Sequence, residues 1–240
     1  MGNSSVKMVI VLILLFTAIN VHANECVVLL HGLGRTPASM KPIGRRLKKE
    51  GYAVHSIGYP STRYSIADLC TLFVEKELDA LSPSCDTIHF VTHSMGGIIV
   101  RYLLMRGTVS CGRVVMLCPP NQGSTLTDSL KKYVGRLYEK ADGPAGEQLG
   151  NDSLSIIPKL APLDGCAVGV IAGDKSWEPL FSRLIPGKDD GKVSVEETKL
   201  AGMNDFIVLN HTHTFIMNNR DTQDQIVHFL KNGKFFKRHK

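Results

Sequence analysis

Ile88-His89-Phe90-Val91-Thr92-His93-Ser94-Met95-Gly96-Gly97 decides how this chain is read. An apolar run leads into a short turn carrying Ser, and the glycines open a helical pattern over Gly97–Arg106. Strand, sharp turn and helix in that order form a nucleophile elbow, which lifts a hydroxyl above the edge of a sheet. The residue two places after the Ser must be small because the helix there passes close to a strand, and Gly96 satisfies this. Thr92, two places before, is bulkier than the Gly usual at that position, so the motif rests on its context.

That context extends in both directions. Apolar runs at Cys26–His31, Ala53–Ile57, Ile88–Thr92, Arg113–Cys118, Ala167–Ala172 and Phe206–Leu209 mostly lack polar alternation. Such runs mark strands covered on both faces. Between them lie helical patterns at Met40–Glu50, with Gly51 as its C-terminal cap, and at Ser65–Leu81, where Ser65 and Asp68 resemble a capping box. A final helix is expected at Asp221–Lys231. Strand–helix alternation predicts an α/β chain with a mostly parallel, doubly wound sheet, helices on both faces and ligands at the carboxyl ends of the strands. Pro119–Asp164 breaks the rhythm: it is too long for a simple crossover. It reads as a helix at Leu126–Lys140 and then a Gly- and Pro-punctuated loop, an insertion that shapes the pocket.

The first 23 residues stand apart. Lys7, the apolar run Met8–Ile19 and Val21-His22-Ala23 have the anatomy of a signal peptide, too short for a comfortable membrane span. Cleavage near Ala23 predicts an exported protein, periplasmic or secreted, running as one domain from residue 24 to 240. It removes Lys7 and no acid, so the net charge falls from +6 to +5. That mild surplus comes without a nucleic-acid motif, which leaves no nucleic-acid partner expected. Part of it sits in Lys231–Lys240, a basic tail with two Phe that could touch anionic lipid weakly, or fray into solvent.

Six cysteines remain: Cys26, Cys70, Cys85, Cys111, Cys118 and Cys166. An even count in an exported chain predicts disulfides. Cys26, Cys85, Cys111 and Cys166 each precede a predicted strand, which places them at one edge of the sheet, away from the site. The preferred pairs are Cys111–Cys166 and Cys70–Cys85. No zinc-ligand spacing is present, and no metal site is expected.

At the end of the first strand, His31-Gly32-Leu33-Gly34 forms a glycine-rich turn. Such a turn can aim the Leu33 N–H at a developing oxyanion, paired with the N–H of Met95. His31 is read as ordering this turn.

Taken together, VVLLHGLG, THSMGG, CPPNQGS, DDGKVSV and HTHTFIM, in this order over nearly the whole mature chain, resemble the α/β-hydrolase superfamily near small bacterial lipases and esterases. The resemblance implies the α/β-hydrolase fold and a triad in the order Ser, acid, His. Ser94 is then the nucleophile. For the acid, Asp190 matches the lipase-like Asp-x-x-Val and precedes His213 by a lipase-like interval, with Asp174 and Asp189 as alternatives. For the base, His213 is preferred over His211. Pro119-Pro120-Asn121-Gln122-Gly123-Ser124 resembles a lipase turn at the pocket mouth, and Trp177 either lines the acyl site or packs elsewhere. His93 is read as packing or hydrogen-bonding locally. The resemblance implies cleavage of a small-molecule or lipid carboxylic ester with no cofactor. The same triad would serve an acyltransferase or thioesterase, and the fold alone could serve a non-catalytic lipid- or partner-binding protein.

Overall fold

The computed structural model describes residues 24–163 and 165–237. The expected signal peptide lies outside the described residues.

Six strands form one sheet: β1 (Glu25–Leu30), β2 (Ala53–Ile57), β3 (Thr87–His93), β4 (Arg113–Leu117), β5 (Ala167–Gly173) and β6 (Asp205–Leu209). All pair in parallel, in the order β2-β1-β3-β4-β5-β6. Beyond their first residues, β1, β3, β4 and β5 are buried throughout, whereas the edge strands β2 and β6 are mostly half-buried. Unbroken apolar runs therefore mark the middle of the sheet.

Alternate residues of each central strand feed two cores. Val28, Leu30 and Phe90 pack under α2 (Ile66–Leu69), α3 (Glu75–Leu81) and α4 (Met95–Met105). Val27, Leu29 and Val91 pack on the opposite face under α1 (Lys41–Lys49) and α8 (Arg220–Asn232). A π-helical turn, Cys70–Val74, joins α2 to α3. Ser65 caps this composite helix by accepting from the Asp68 N–H at 3.1 Å.

Strand order reverses between β1 and β3. The chain leaves these neighbouring strands toward opposite sides, and a crevice opens at their carboxyl ends, where doubly wound sheets hold ligands. The His31–Gly34 turn follows β1 and Ser94 follows β3, so the topology alone brings them together.

The insertion differs from its sequence reading. The single helix expected at Leu126–Lys140 is two helices, α5 (Thr125–Val134) and α6 (Arg136–Glu147), broken at Gly135, whose φ is 43°. Nor is Gly143–Gln148 a loop. Helix α6 kinks at Gly143 (φ 65°) and resumes from Pro144, which needs no N–H at a helix start. A Cβ at Gly143 would lie 1.8 Å from the Thr62 carbonyl oxygen, so the kink is fixed by a close backbone approach. Beyond it, α7 is a short turn, Pro179–Ser182.

The disulfides are Cys111–Cys166 and Cys26–Cys85, with Cα–Cα distances of 5.8 and 5.7 Å. The expected Cys70–Cys85 pair is replaced. Cys26 opens the partner strand of β3 in register with Ile88, directly beside Cys85, whereas Cys70 turns from its helix into the core with its thiol free. Burial pushes the Cys70 thiol up to about 12. Among the described residues, no helix is long and apolar enough to cross a membrane.

The tail beyond α8 is tied down as far as the described residues go. Phe235 is buried in the second core against Phe229, and its N–H donates to Asp205 Oδ2 at 2.8 Å.

Candidate active site

Ser94 stands between β3 and α4 at φ 52° and ψ −123°. A non-glycine residue there carries roughly 1–3 kcal/mol of strain, held by surrounding structure. Its N–H donates to the Leu117 carbonyl at 2.8 Å, and its carbonyl accepts from Gly97 N–H at 2.9 Å. The bend brings α4 so close to β1 that a Cβ at Gly96 would lie 2.6 Å from the Leu30 carbonyl oxygen. Only glycine fits. On the other side the His31–Gly34 turn presses on Ser94, since a Cβ at Gly32 would sit 3.2 Å from Ser94 Cβ.

Ser94 and His213 border one cleft of about 330 Å³, without a direct hydrogen bond between them. Hydroxyl–imidazole pairs commonly tighten only when substrate arrives. The insertion supplies one bank through Leu126, Leu130, Tyr138 and Leu149, and Phe181 and Val193 stand on the other. Leu33 also lines the cleft, and the Leu33 and Met95 N–H groups have no hydrogen-bond partner among the described residues. A larger hollow of about 430 Å³ lies at the opposite edge of the sheet beside both disulfides, with no histidine in its lining.

His213 and Asp190 meet twice. Asp190 Oδ2 accepts from His213 Nδ1 at 2.8 Å, and the Asp190 carbonyl accepts from His213 N–H at 2.9 Å. Asp190 Oδ1 is held by the N–H groups of Lys192 (2.9 Å) and Val193 (2.8 Å). Burial pushes this carboxyl up, but the charge and hydrogen bond of His213, with help from the Cys118 thiol and Val193 N–H, outweigh it. The carboxyl settles below its ordinary value. This bond leaves the His213 Nε2 edge as the acceptor, the tautomer a general base needs.

The alternatives are engaged elsewhere. Asp174 Oδ1 accepts from Asn210 at 3.1 Å, and its other oxygen lies 3.5 Å from Lys188 Nζ. Asp189 accepts from the Ser182 hydroxyl and Gly191 N–H. His211 pairs with Asp221 at 2.7 Å. His31 stacks on Tyr59 with centroids 4.0 Å apart, and its Nδ1 reaches the Gly32 carbonyl at 2.9 Å. Pro120 and Ser124 line the cleft, and Ser124 also caps α5. Trp177 stands 65% exposed, its ring 5.9 Å from Phe215.

Two residues gain a place that sequence reasoning did not give them. His93 Nε2 donates to the His213 carbonyl at 3.0 Å, holding the backbone of that loop from beneath. Burial, then the positive field of His213, pushes its pKa well down, so it stays a neutral donor. Cys118, fully buried, shares with Ser94 the distinction of positive φ without being glycine, alone among the described residues. Its sulfur lies within 4.8 Å of ligand atoms of both Asp190 and His213. Burial, then the Asp190 charge, pushes its thiol well up. Their positions at the carboxyl ends of β3 and β4 were the only sequence signal.

A family model described as alpha/beta hydrolase family matches residues 27–228, and the chain belongs to that family. Among solved structures, Bacillus licheniformis lipase BlEst2 in mature form superposes with a TM-score of 0.73 at 18% identity, covering 88% of this chain and 93% of that one. A metagenomic carboxyl esterase gives 0.63 at 19% identity over 81% and 66%. A thioesterase from the prodiginine pathway of Streptomyces coelicolor, RedJ, gives 0.58 at 17% over 88% and 91%. These likenesses carry the fold. No curated protein sequence matches the chain.

Proposed function

We propose that this protein is an exported serine hydrolase that cleaves carboxylic esters through Ser94, His213 and Asp190. The observation that carries the reading is the cleft shared by a hydroxyl in a strained elbow and an imidazole whose far nitrogen is held by a buried carboxylate. His213 Nε2 takes the proton from Ser94 as the hydroxyl attacks the ester carbonyl, and Asp190 stabilises the imidazolium that forms. The unpartnered N–H groups of Leu33 and Met95 receive the oxyanion. Collapse expels the alcohol with the proton from His213; water, activated by the same base, then frees the acid from Ser94. The apolar banks of the cleft take up the acyl chain, and the chemistry needs no metal or organic cofactor.

The test is hydrolysis of p-nitrophenyl esters of increasing chain length by the purified protein, with fluorophosphonate labelling. Ser94→Ala should abolish both. Retained turnover in that variant, or an unlabelled wild type, sinks the proposal. A matched series of thioesters, run with competing alcohols, separates ester hydrolysis from the thioesterase and acyltransferase readings.

Export rests on the N-terminal residues 1–23 and on two disulfides, bonds favoured by an oxidising compartment. N-terminal sequencing of the fractionated protein should find Asn24 first. A cytosolic chain beginning at Met1 would contradict it.

A further inference from the structure

Among the described residues eleven large apolar side chains are left in water, and six of them stand in two groups beside the cleft. Tyr133, Val134 and Leu137 stand at the turn between α5 and α6, on one bank of the cleft. Trp177, Leu180 and Phe215 stand on the other. Leu137 and Leu180, the two most open, are 72% and 71% exposed. Five of the six are tied to the cleft wall. Val134 lies one helical turn from Leu130, and Leu137 precedes Tyr138. Leu180 precedes Phe181, Phe215 follows Thr214, and the Trp177 ring packs on Phe215. These are the two lips of the opening.

Basic residues accompany them. Lys132, Arg136 and Lys140 face a single acid, Glu139, along the α5–α6 turn. Lys132 Nζ lies 5.7 Å from the Tyr133 ring, and Lys175 Nζ lies 5.6 Å from the Trp177 ring. Aromatic and aliphatic side chains ringed by lysines are the composition that settles into a headgroup layer: apolar groups enter the acyl boundary while cations remain with anionic headgroups.

We propose that these two lips dock the protein on an anionic phospholipid surface, cleft mouth down, so that an acyl chain passes from bilayer to Ser94 without crossing water. The direction of substrate entry rests on the ester-hydrolase reading; the docking itself does not. The basic C-terminal tail is a separate surface. Beyond Phe235 it turns back along α8, where Phe236 exchanges hydrogen bonds with Gln225 and Lys237 borders Leu209 and Asp221. None of its described residues lines the cleft.

The experiment measures partition onto phosphatidylcholine vesicles with and without phosphatidylglycerol, using the Ser94→Ala protein so that binding is read apart from catalysis. Phosphatidylglycerol should raise partition. Leu137→Ser with Leu180→Ser should lower it about tenfold or more, the loss expected when two leucines no longer leave water. Lys132→Glu with Arg136→Glu should remove the dependence on phosphatidylglycerol. Replacing Lys237, Arg238 and Lys240 by Gln should change little. In the Ser94-intact background, the same lip variants should hydrolyse a short soluble ester at the wild-type rate, which shows that they fold. The proposal is overturned if the lip variants bind vesicles as the parent does, or if neutralising the tail abolishes binding. It is also overturned if the lips join two copies in solution, read as a dimer that Leu137→Ser with Leu180→Ser dissociates.

Discussion

The two edges of the sheet are built on opposite principles. At the amino edge, Cys26–Cys85 and Cys111–Cys166 tie β1 to β3 and β4 to β5 where those strands begin. At the carboxyl edge of the same strands, Ser94 and Cys118 are held at positive φ, a cleft opens, and a carboxylate is buried with a histidine as its partner. One edge reduces the freedom of the unfolded chain; the other stores strain and unsatisfied donors for a substrate. Covalent stapling at one end lets the other depart from what is locally most stable.

Substitutions can break that contrast in graded ways. The largest expected effect is on turnover at the carboxyl edge. Ser94→Ala should lower kcat by about ten-thousand-fold or more, as loss of the nucleophile does in a working triad, read in a p-nitrophenyl ester assay. Ser94→Gly should be equally inactive yet melt higher by the equivalent of about 1 kcal/mol, because glycine is at ease at φ 52°. A lower melting point for that variant would show that the elbow is not strained.

At the amino edge the effect should fall on stability instead. Replacing Cys26 and Cys85 by Ser should cost about 2–5 kcal/mol in denaturant unfolding. Ester turnover at low temperature should remain near wild type, because this bond lies at the far end of the strands from Ser94.

Acid should weaken the site edge selectively. His93 has a folded pKa far below its ordinary 6.5, so the unfolded chain binds the proton more readily. Its contribution to stability is full above pH 6.5 and declines as the pH falls below it. Asp190 acts later: its lowered pKa adds stability above the ordinary carboxylate range that is lost as pH falls through the folded value. Melting curves of His93→Gln should therefore lose part of the wild-type decline just below pH 6.5. An unchanged slope would contradict the buried neutral assignment.

The smallest effect concerns thiol chemistry. Cys70 and Cys118 are both buried and free, and burial raises both thiols, so Ellman's reagent should label neither in the native protein. Both should react once the chain unfolds. Native labelling of Cys118 would mean that solvent reaches the underside of the Asp190–His213 pair.

The sequence reading succeeded where the pattern is local. Buried central strands are continuous apolar runs, and the elbow declares itself because strand, Ser and glycine-led helix are adjacent in the chain. It failed where partners are set by strand order. Nothing in the run containing Cys26 says that its neighbour is β3, and the helical phase that turns Cys70 inward is altered by a π-helical turn. The break at Gly135 was read through, and Gly143 was taken for the start of a loop, because tertiary approach to Thr62, rather than propensity, lets the helix kink there and resume. His93 and Cys118 acquire their contacts with the His213 loop only when β3, β4 and that loop converge. Of the proposed triad, the spacing of Asp190 and His213 could be matched to a pattern, but the preference over Asp174 and His211 becomes physical only through their other engagements.

The two disulfides also mark a face of the molecule that the cleft does not use. Asn24 donates to Asp86 beside the first of them. A surface linker introduced along that border would tether the protein by the edge opposite Ser94. The mouth of the cleft would then stay open to solution, an orientation suited to immobilisation.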